Sequence, residues 1–204
     1  HNFAVDTFLD IFTEFAPPPG PRKIKGGEVK PLDKTLTGFV FKIQANMDRR
    51  HRDRVAFVRI CSGRFERGMK VYHPRIDRDI RLAHSTQFVA QERETVDVAY
   101  AGDIVGVADA GYFQIGDAVT TGKAIEFEPI PKFPPELFAK LSVSDAMKRQ
   151  KLQKGVKQIS EEGAVQLFID PVIGPQDPII GVVGELQFEV LLFRLQDEYG
   201  LDVR

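Results

Sequence analysis

The chain has 204 residues, 43% of them apolar and 28% charged, with one cysteine, Cys61, and a formal net charge of −1 at pH 7. This is the composition of a globular protein of one large or two ordinary domains. It excludes an internal disulfide, which fits a reducing, cytoplasmic setting, and no apolar run approaches the roughly 18 residues of a membrane span.

Val5, Phe8, Leu9, Phe12 and Phe15 recur at helical spacing. Pro17, Pro18 and Pro19 stop the helix, because proline lacks the N–H and clashes with the preceding turn. So short an apolar helix needs something to pack on, so residues 1–16 are expected to be the last helix of a preceding domain. Residues 17–34 form a Pro/Gly linker.

From 35 to 128 the pattern is one of strands. Runs at Leu36–Gln44, Arg54–Ile60, Lys70–His73, Ile80–Ser85, Phe88–Gln91, Ile104–Val107 and Ala118–Thr120 carry β-branched and aromatic residues. Gly63, Gly68, Gly102–Asp103, Gly111 and Gly116–Asp117 punctuate them, a spacing that predicts a closed antiparallel β-barrel. Pro129, Pro131, Pro134 and Pro135 mark a second linker, 129–135.

Residues 136–204 change character. Glu136–Val143 alternates, with Leu137, Ala139, Leu141 and Val143 on one face. Ser144 is a candidate N-cap for a helix over Asp145–Glu162 that buries Met147, Leu152, Val156 and Ile159 and ends at Gly163. Strands follow at Ala164–Asp170 and Ile179–Val183. A helix over Glu185–Tyr199 buries Phe188, Leu191, Leu192 and Leu195 and ends at Gly200. Leu201–Arg204 reads as the start of another strand. The order is the β-α-β-β-α-β arrangement of a ferredoxin-like α+β domain, incomplete at its C-terminal end.

Charge is segregated. Between Arg49 and Arg81 there are 11 Lys/Arg against 4 Asp/Glu, while the rest of the chain holds 17 against 25. Arg49, Arg50, His51, Arg52 and Arg54 crowd one loop, and Arg64, Arg67 and Lys70 form a second basic crest. Packed inward, the loop cations would repel one another, so they are expected at the surface, where arginine binds phosphate bidentately. Asp48 and Asp53 partly neutralise the loop, so Arg52 or Arg54 is also a candidate for local ion pairs. The scarcity of interleaved aromatics favours recognition of folded RNA by shape and phosphate over base stacking.

Catalytic chemistry is not visible. Gly116–Ala124, GDAVTTGKA, has five residues between its glycines and alanine in place of the magnesium-binding hydroxyl, so a hairpin turn accounts for it better than a phosphate loop. His1, His51, His73 and His84 share no metal-ligand spacing with one another or with Cys61. Cys61 ends an apolar run as a small hydrophobe. A Cys61–His73 nucleophile pair is the alternative. Glu161 and Glu162 fall at a helix C-terminus and read as solvated.

GFVFKIQANMDRRHRDRVAFVRICSGRFERGMKVYH, Gly38–His73, resembles the second domain of the class II peptide chain release factors, the release factor 3 family of bacterial translational GTPases. QERETVDVAYAGDIVGVADAGYFQIGDAV, Gln91–Val119, is similar to the later half of that domain, and GVVGELQFEVLLFRLQDEYGLDV, Gly181–Val203, to the third. The AGDIVGV and IGDAV turns are shared more widely among translational GTPases, and the GELQ helix start also resembles elongation factor G. Ala101 and Arg49 stand where proline is common in the family.

The resemblance implies a fragment: a translation-factor barrel plus most of a third domain, without the P-loop, DxxG and NKxD motifs of the GTPase domain. GTP and magnesium would bind in that missing domain, so this chain is expected to hold no cofactor and to catalyse nothing. The implied parent binds the ribosome during termination, promotes departure of class I release factors, and leaves on GTP hydrolysis. Arg49, Arg50, Arg52, Arg64, Arg67 and Lys70 are the implied contacts to small-subunit ribosomal RNA; membrane and DNA are not expected partners. Alternatives are the equivalent portion of an elongation or ribosome-protection GTPase, a free-standing RNA-binding barrel, and an enzyme acting at Cys61.

Overall fold

The protein is described from a computed structural model covering residues 3–45, 54–82, 85–89, 92–171 and 174–203. Helix α1, Val5–Phe15, forms as its periodicity predicts, and none of its residues is buried. Within the expected linker the chain makes a small hairpin, β1 (Arg22–Ile24) and β2 (Gly27–Val29), joined to the barrel by a bridge between Ile24 and Phe127. Strands of three residues are too short to show a period.

The barrel is built on a nine-residue antiparallel pair, β3 (Thr37–Ala45) and β4 (Arg54–Ser62). Around it lie β5 (Arg64–Glu66), β6 (Lys70–His73), β7 (Arg78–Arg81), β8 (Ser85–Val89), β9 (Glu92–Thr95), β10 (Val98–Tyr100), β11 (Ile104–Ala108) and β12 (Ala118–Thr120). Eight strands form one curled antiparallel sheet in the order β7-β6-β12-β3-β4-β11-β8-β9, and β5 with β10 makes a separate ribbon. The sequence pattern does not reveal β5, β9 or β10, and its runs Ile80–Ser85 and Phe88–Gln91 cut across the observed ends of β7 and β8. Gly116–Ala124 is not a simple hairpin turn: β12 within it lies between β3 and β6.

Alternation along the strands places Val40, Val58, Phe65, Val71, Val105, Val107 and Val119 inside, each 0–1% exposed. Each such burial stabilises by roughly 1.5–3 kcal/mol against exposure. A second cluster, Phe39, Cys61, Ala118, Phe127 and Val29, lies under the β1–β2 arm.

The α+β domain comprises β13 (Leu137–Lys140), α2 (Arg149–Glu161), β14 (Gln166–Asp170), β15 (Gly174–Val182) and α3 (Leu186–Tyr199). Its sheet runs β13-β15-β14, antiparallel throughout. That order agrees with a ferredoxin-like arrangement whose first and third strands are neighbours. Leu152, Val156 and Ile159 of α2 meet Leu191, Leu195 and Tyr199 of α3 in one core. Gly155 lets the helices approach: a Cβ there would stand 3.0 Å from Leu195 and 3.2 Å from Tyr199.

Four local expectations are corrected. Asp145, not Ser144, is the cap: its carboxylate accepts from the Met147 N–H at 2.9 Å and starts a 3₁₀ turn, so α2 begins only at Arg149. Met147 lies in that turn, 91% exposed. On α3 the inward stripe is Leu191–Leu195–Tyr199, one side chain every four residues, which leaves Leu192 on the exposed flank. After Gly200 turns in the left-handed region (φ 59°), Leu201 is buried but Leu201–Val203 pairs with no described strand.

Gly63 turns β4 into β5 at φ +71°, and a Cβ there would lie 2.5–2.7 Å from the backbone of Thr35 and Leu36. Backbone at that distance has no flexible end to move, and alanine resists positive φ. Gly63→Ala is therefore expected to lower the urea midpoint by the equivalent of about 2 kcal/mol or more. An unchanged midpoint would show that the turn relaxes freely.

Candidate nucleic-acid interface

Ala45 and Arg54 are partners at one end of the β3–β4 ladder, and Thr37 and Ser62 at the other. Residues 46–53, with Arg49, Arg50 and Arg52, lie outside the described residues, but both their attachment points are at the Ala45–Arg54 end. Arg64 follows Ser62 and Gly63 at the opposite end. Lys70 lies there too, two residues before Tyr72, which pairs with Thr120, itself the partner of Thr37. Arg67 is in the turn between them. The fold thus sets the Ala45–Arg54 end and the Arg64–Lys70 group at opposite ends of a ladder of nine residues, about 30 Å of strand at about 3.3 Å per residue.

Arg64, Arg67 and Lys70 are each paired with a neighbouring carboxylate. Arg64 Nε is 3.5 Å from Glu66, Arg67 Nε 2.9 Å from Asp97 and Lys70 Nζ 2.8 Å from Asp79, and all six side chains are about half exposed or more. Ion pairs of this kind contribute about 0–1 kcal/mol, so an incoming phosphate oxygen can replace the carboxylate at small cost.

Arg54 differs from Arg64, Arg67 and Lys70 in being largely buried. Its guanidinium is 14% exposed. Nε donates to Asp109 at 2.7 Å, one terminal nitrogen to the Phe113 carbonyl at 2.7 Å, and the other to Glu161 of α2. Burial alone would depress the guanidinium's pKa; hydrogen bonds and charge from Glu161 and Asp109 outweigh it and raise it. Asp109 is itself held by the N–H groups of Gly111, Tyr112 and Phe113. The Asp-Ala-Gly order was the available signal, since a short acceptor followed two residues later by glycine favours such a turn. Glu161, expected in solvent, is 30% exposed and bound to Arg54. Glu162 is 8% exposed and paired with Arg194 of α3 at 3.1 Å.

A second buried group sits behind the IGDAV turn. Asp117 accepts from Arg75 Nε at 2.6 Å, from a terminal Arg75 nitrogen at 2.9 Å and from the Gln114 N–H at 2.7 Å. His73, fully buried and stacked on Phe113, brings Nε2 to 3.1 Å of the same carboxylate, off the line of a well-formed hydrogen bond. Burial would raise the Asp117 pKa, but His73, Arg75 and Gln114 together hold it at about 2. This pins His73 as a structural residue. Cys61 is buried, its thiol pushed up to about 11 by burial against the opposing pull of Arg22 and Arg59. A thiol so little ionised near neutral pH is a poor nucleophile.

Models of two families match the chain: "Elongation factor G domain 2" over residues 35–122 and "Class II release factor RF3, C-terminal domain" over residues 127–204. Proteins named peptide chain release factor 3 align with 99% of it. Those of Symbiobacterium thermophilum and Streptococcus thermophilus are 52% identical, and that of Streptococcus pneumoniae 53%. The chain spans only 38–39% of their length. A crystal structure of a Thermus thermophilus protein superposes on 98% of this chain and 29% of its own with a TM-score of 0.75, at 22% identity, which shows a shared fold. Among the described residues no helix is long and apolar enough to cross a membrane.

The Asp117 site gives a pH dependence of known sign. The folded carboxyl, at about 2, lies below its ordinary value of 3.8, so the folded state binds fewer protons. The stabilisation is full above pH 4 and is lost as pH falls toward 2, amounting to about 2 kcal/mol. Urea midpoints of wild type and Asp117→Asn are expected to differ most at pH 7 and to converge toward pH 2; a gap that does not change with pH would refute this.

Proposed function

The chain belongs to the class II release factor family, and on that premise we propose that it is the ribosome-binding portion of a translation termination GTPase. In this reading the parent promotes dissociation of class I release factors from the ribosome in a GTP-dependent manner, and works in the cytoplasm. GTP and magnesium bind in a domain outside this chain, which catalyses nothing alone. The supporting observation is the 52% identity to proteins named peptide chain release factor 3, running through both the barrel and the α+β domain. The barrel model alone also fits another translational GTPase; the match over 127–204 favours the release factor reading.

The chemistry suits docking on folded RNA. A phosphate array is bound by exposed cations that shed weak partners and release counterions from the nucleic acid. Arg64, Arg67 and Lys70 have that character. We assign the same role to Arg49, Arg50 and Arg52, carried by the segment between Ala45 and Arg54.

Changing Arg49, Arg50 and Arg52 together to Gln is expected to weaken ribosome binding about tenfold. It should also reduce the slope of log affinity against log salt by about 2–3. Co-sedimentation over a salt series measures both, and unchanged affinity and slope would refute the assignment. The chain by itself is expected to show no GTP binding in equilibrium dialysis; micromolar binding would overturn the division of labour between domains.

A further inference from the structure

On the outside of the barrel a recess of about 540 Å³ opens between residues 21–23, the outward faces of β3, β4 and β11, and residues 128–131. Its volume is that of a small-molecule site. Strand register builds its floor: Phe39 pairs with Arg59 and Arg59 with Ile104, so neighbouring strands set an aromatic ring, a cation and an aliphatic side chain in one row. Phe41, half-buried, lines the same recess.

The cations of this recess differ from those of the basic crest. The Arg22 guanidinium lies over Phe39, 3.8 Å from the ring centroid, and its Nε is buried with no hydrogen-bond acceptor. Among the described residues no carboxylate pairs with Arg22 or Arg59, whereas Arg64, Arg67, Lys70 and Arg75 each have one. Both charges are close enough to act on the Cys61 thiol. Two uncompensated cations, one already flattened on an aromatic face, leave an anion as the missing charge. The adjoining ring and aliphatic wall leave room for a flat apolar group, and Glu128 on the lining offers an acceptor.

We propose that this recess binds one unpaired nucleotide of a single-stranded RNA. The base lies against the Phe41 ring and the guanidinium plane of Arg22, the modes by which unstacked bases are held. Its phosphate bridges Arg22 and Arg59, and Glu128 accepts from an exocyclic amino group. Only the choice of RNA as the nucleic acid rests on the proposed function. The site itself lies on the outer wall of the barrel and shares no residue with Arg49, Arg50, Arg52, Arg64, Arg67 and Lys70.

Fluorescence anisotropy of the full chain with a labelled hexa-adenylate tests it. Single-stranded hexa-adenylate is expected to bind, and Arg59→Gln and Phe41→Ala each to weaken binding about fivefold or more. Lys148→Gln, on the α+β domain, leaves it unchanged. Arg59 is exposed, and unchanged urea midpoints separate lost binding from lost fold. Absence of binding, wild-type affinity in Arg59→Gln, or equal affinity for a duplex of the same length would overturn the proposal. Equal affinity for free adenosine monophosphate would also overturn it, identifying a small-ligand site instead. Because the probe is a naked oligonucleotide, failure here is distinguishable from failure of ribosome docking, which the salt series reads.

Discussion

Three nitrogens of Arg54 are committed to three acceptors, one on each of two carboxylates and one on a main-chain carbonyl. Asp109 and Phe113 belong to the barrel and Glu161 to the end of α2, so a single planar group fixes a loop and a helix terminus together. The N–H of Ala45, the cross-strand partner of Arg54, favours the charged form of Glu162, the residue after Glu161. Glu162 then holds Arg194, and Arg194 holds Glu198. The line from Asp109 to Glu198 crosses both domains through largely buried charges. Such a group stays in place because removing any one partner leaves an uncompensated buried charge, a loss of about 3–5 kcal/mol.

This arrangement decides how the basic segment between Ala45 and Arg54 is presented. Both its ends are pinned, by the β3–β4 ladder and by contact with the end of α2. The cations around Arg64 stand at the far end of the ladder, on short strands and turns where their carboxylate partners are exposed. Arginines close in sequence thus serve opposite ends: Arg54 is consumed by structure, while Arg64 and Arg67 remain exchangeable. The physical difference is solvent. A carboxylate at 0% exposure, as in Asp109, cannot be replaced by a passing phosphate, whereas one at 71%, as in Asp97, can.

Residues with period-two or period-3.6 burial are legible in the sequence alone. Ala56, Val58 and Ile60 face inward along β4, and Leu152, Val156 and Ile159 follow a helical stripe. Sequence patterning misleads where a local competitor wins. Asp145 takes the cap from Ser144 and pulls Met147 out of the helix. The β1–β2 arm and the β5–β10 ribbon, three residues per strand, carry too few positions for a period to register. Among site residues, the cations of the crest are visible as a charge run. The roles of Arg54, Asp117 and Arg22 are not, because each depends on a partner 42 to 107 residues away or on a ring brought alongside by strand pairing.

By itself the sequence determined the strand-rich first part, the mixed helix-and-strand second part and the resemblance to class II release factors, since these rest on local periodicity, turn chemistry and contiguous motifs. Only the tertiary structure decided which charges are free to act. Whether an arginine is a docking group or a structural bridge is set by what folding places within about 3 Å of it and by how much water is left there.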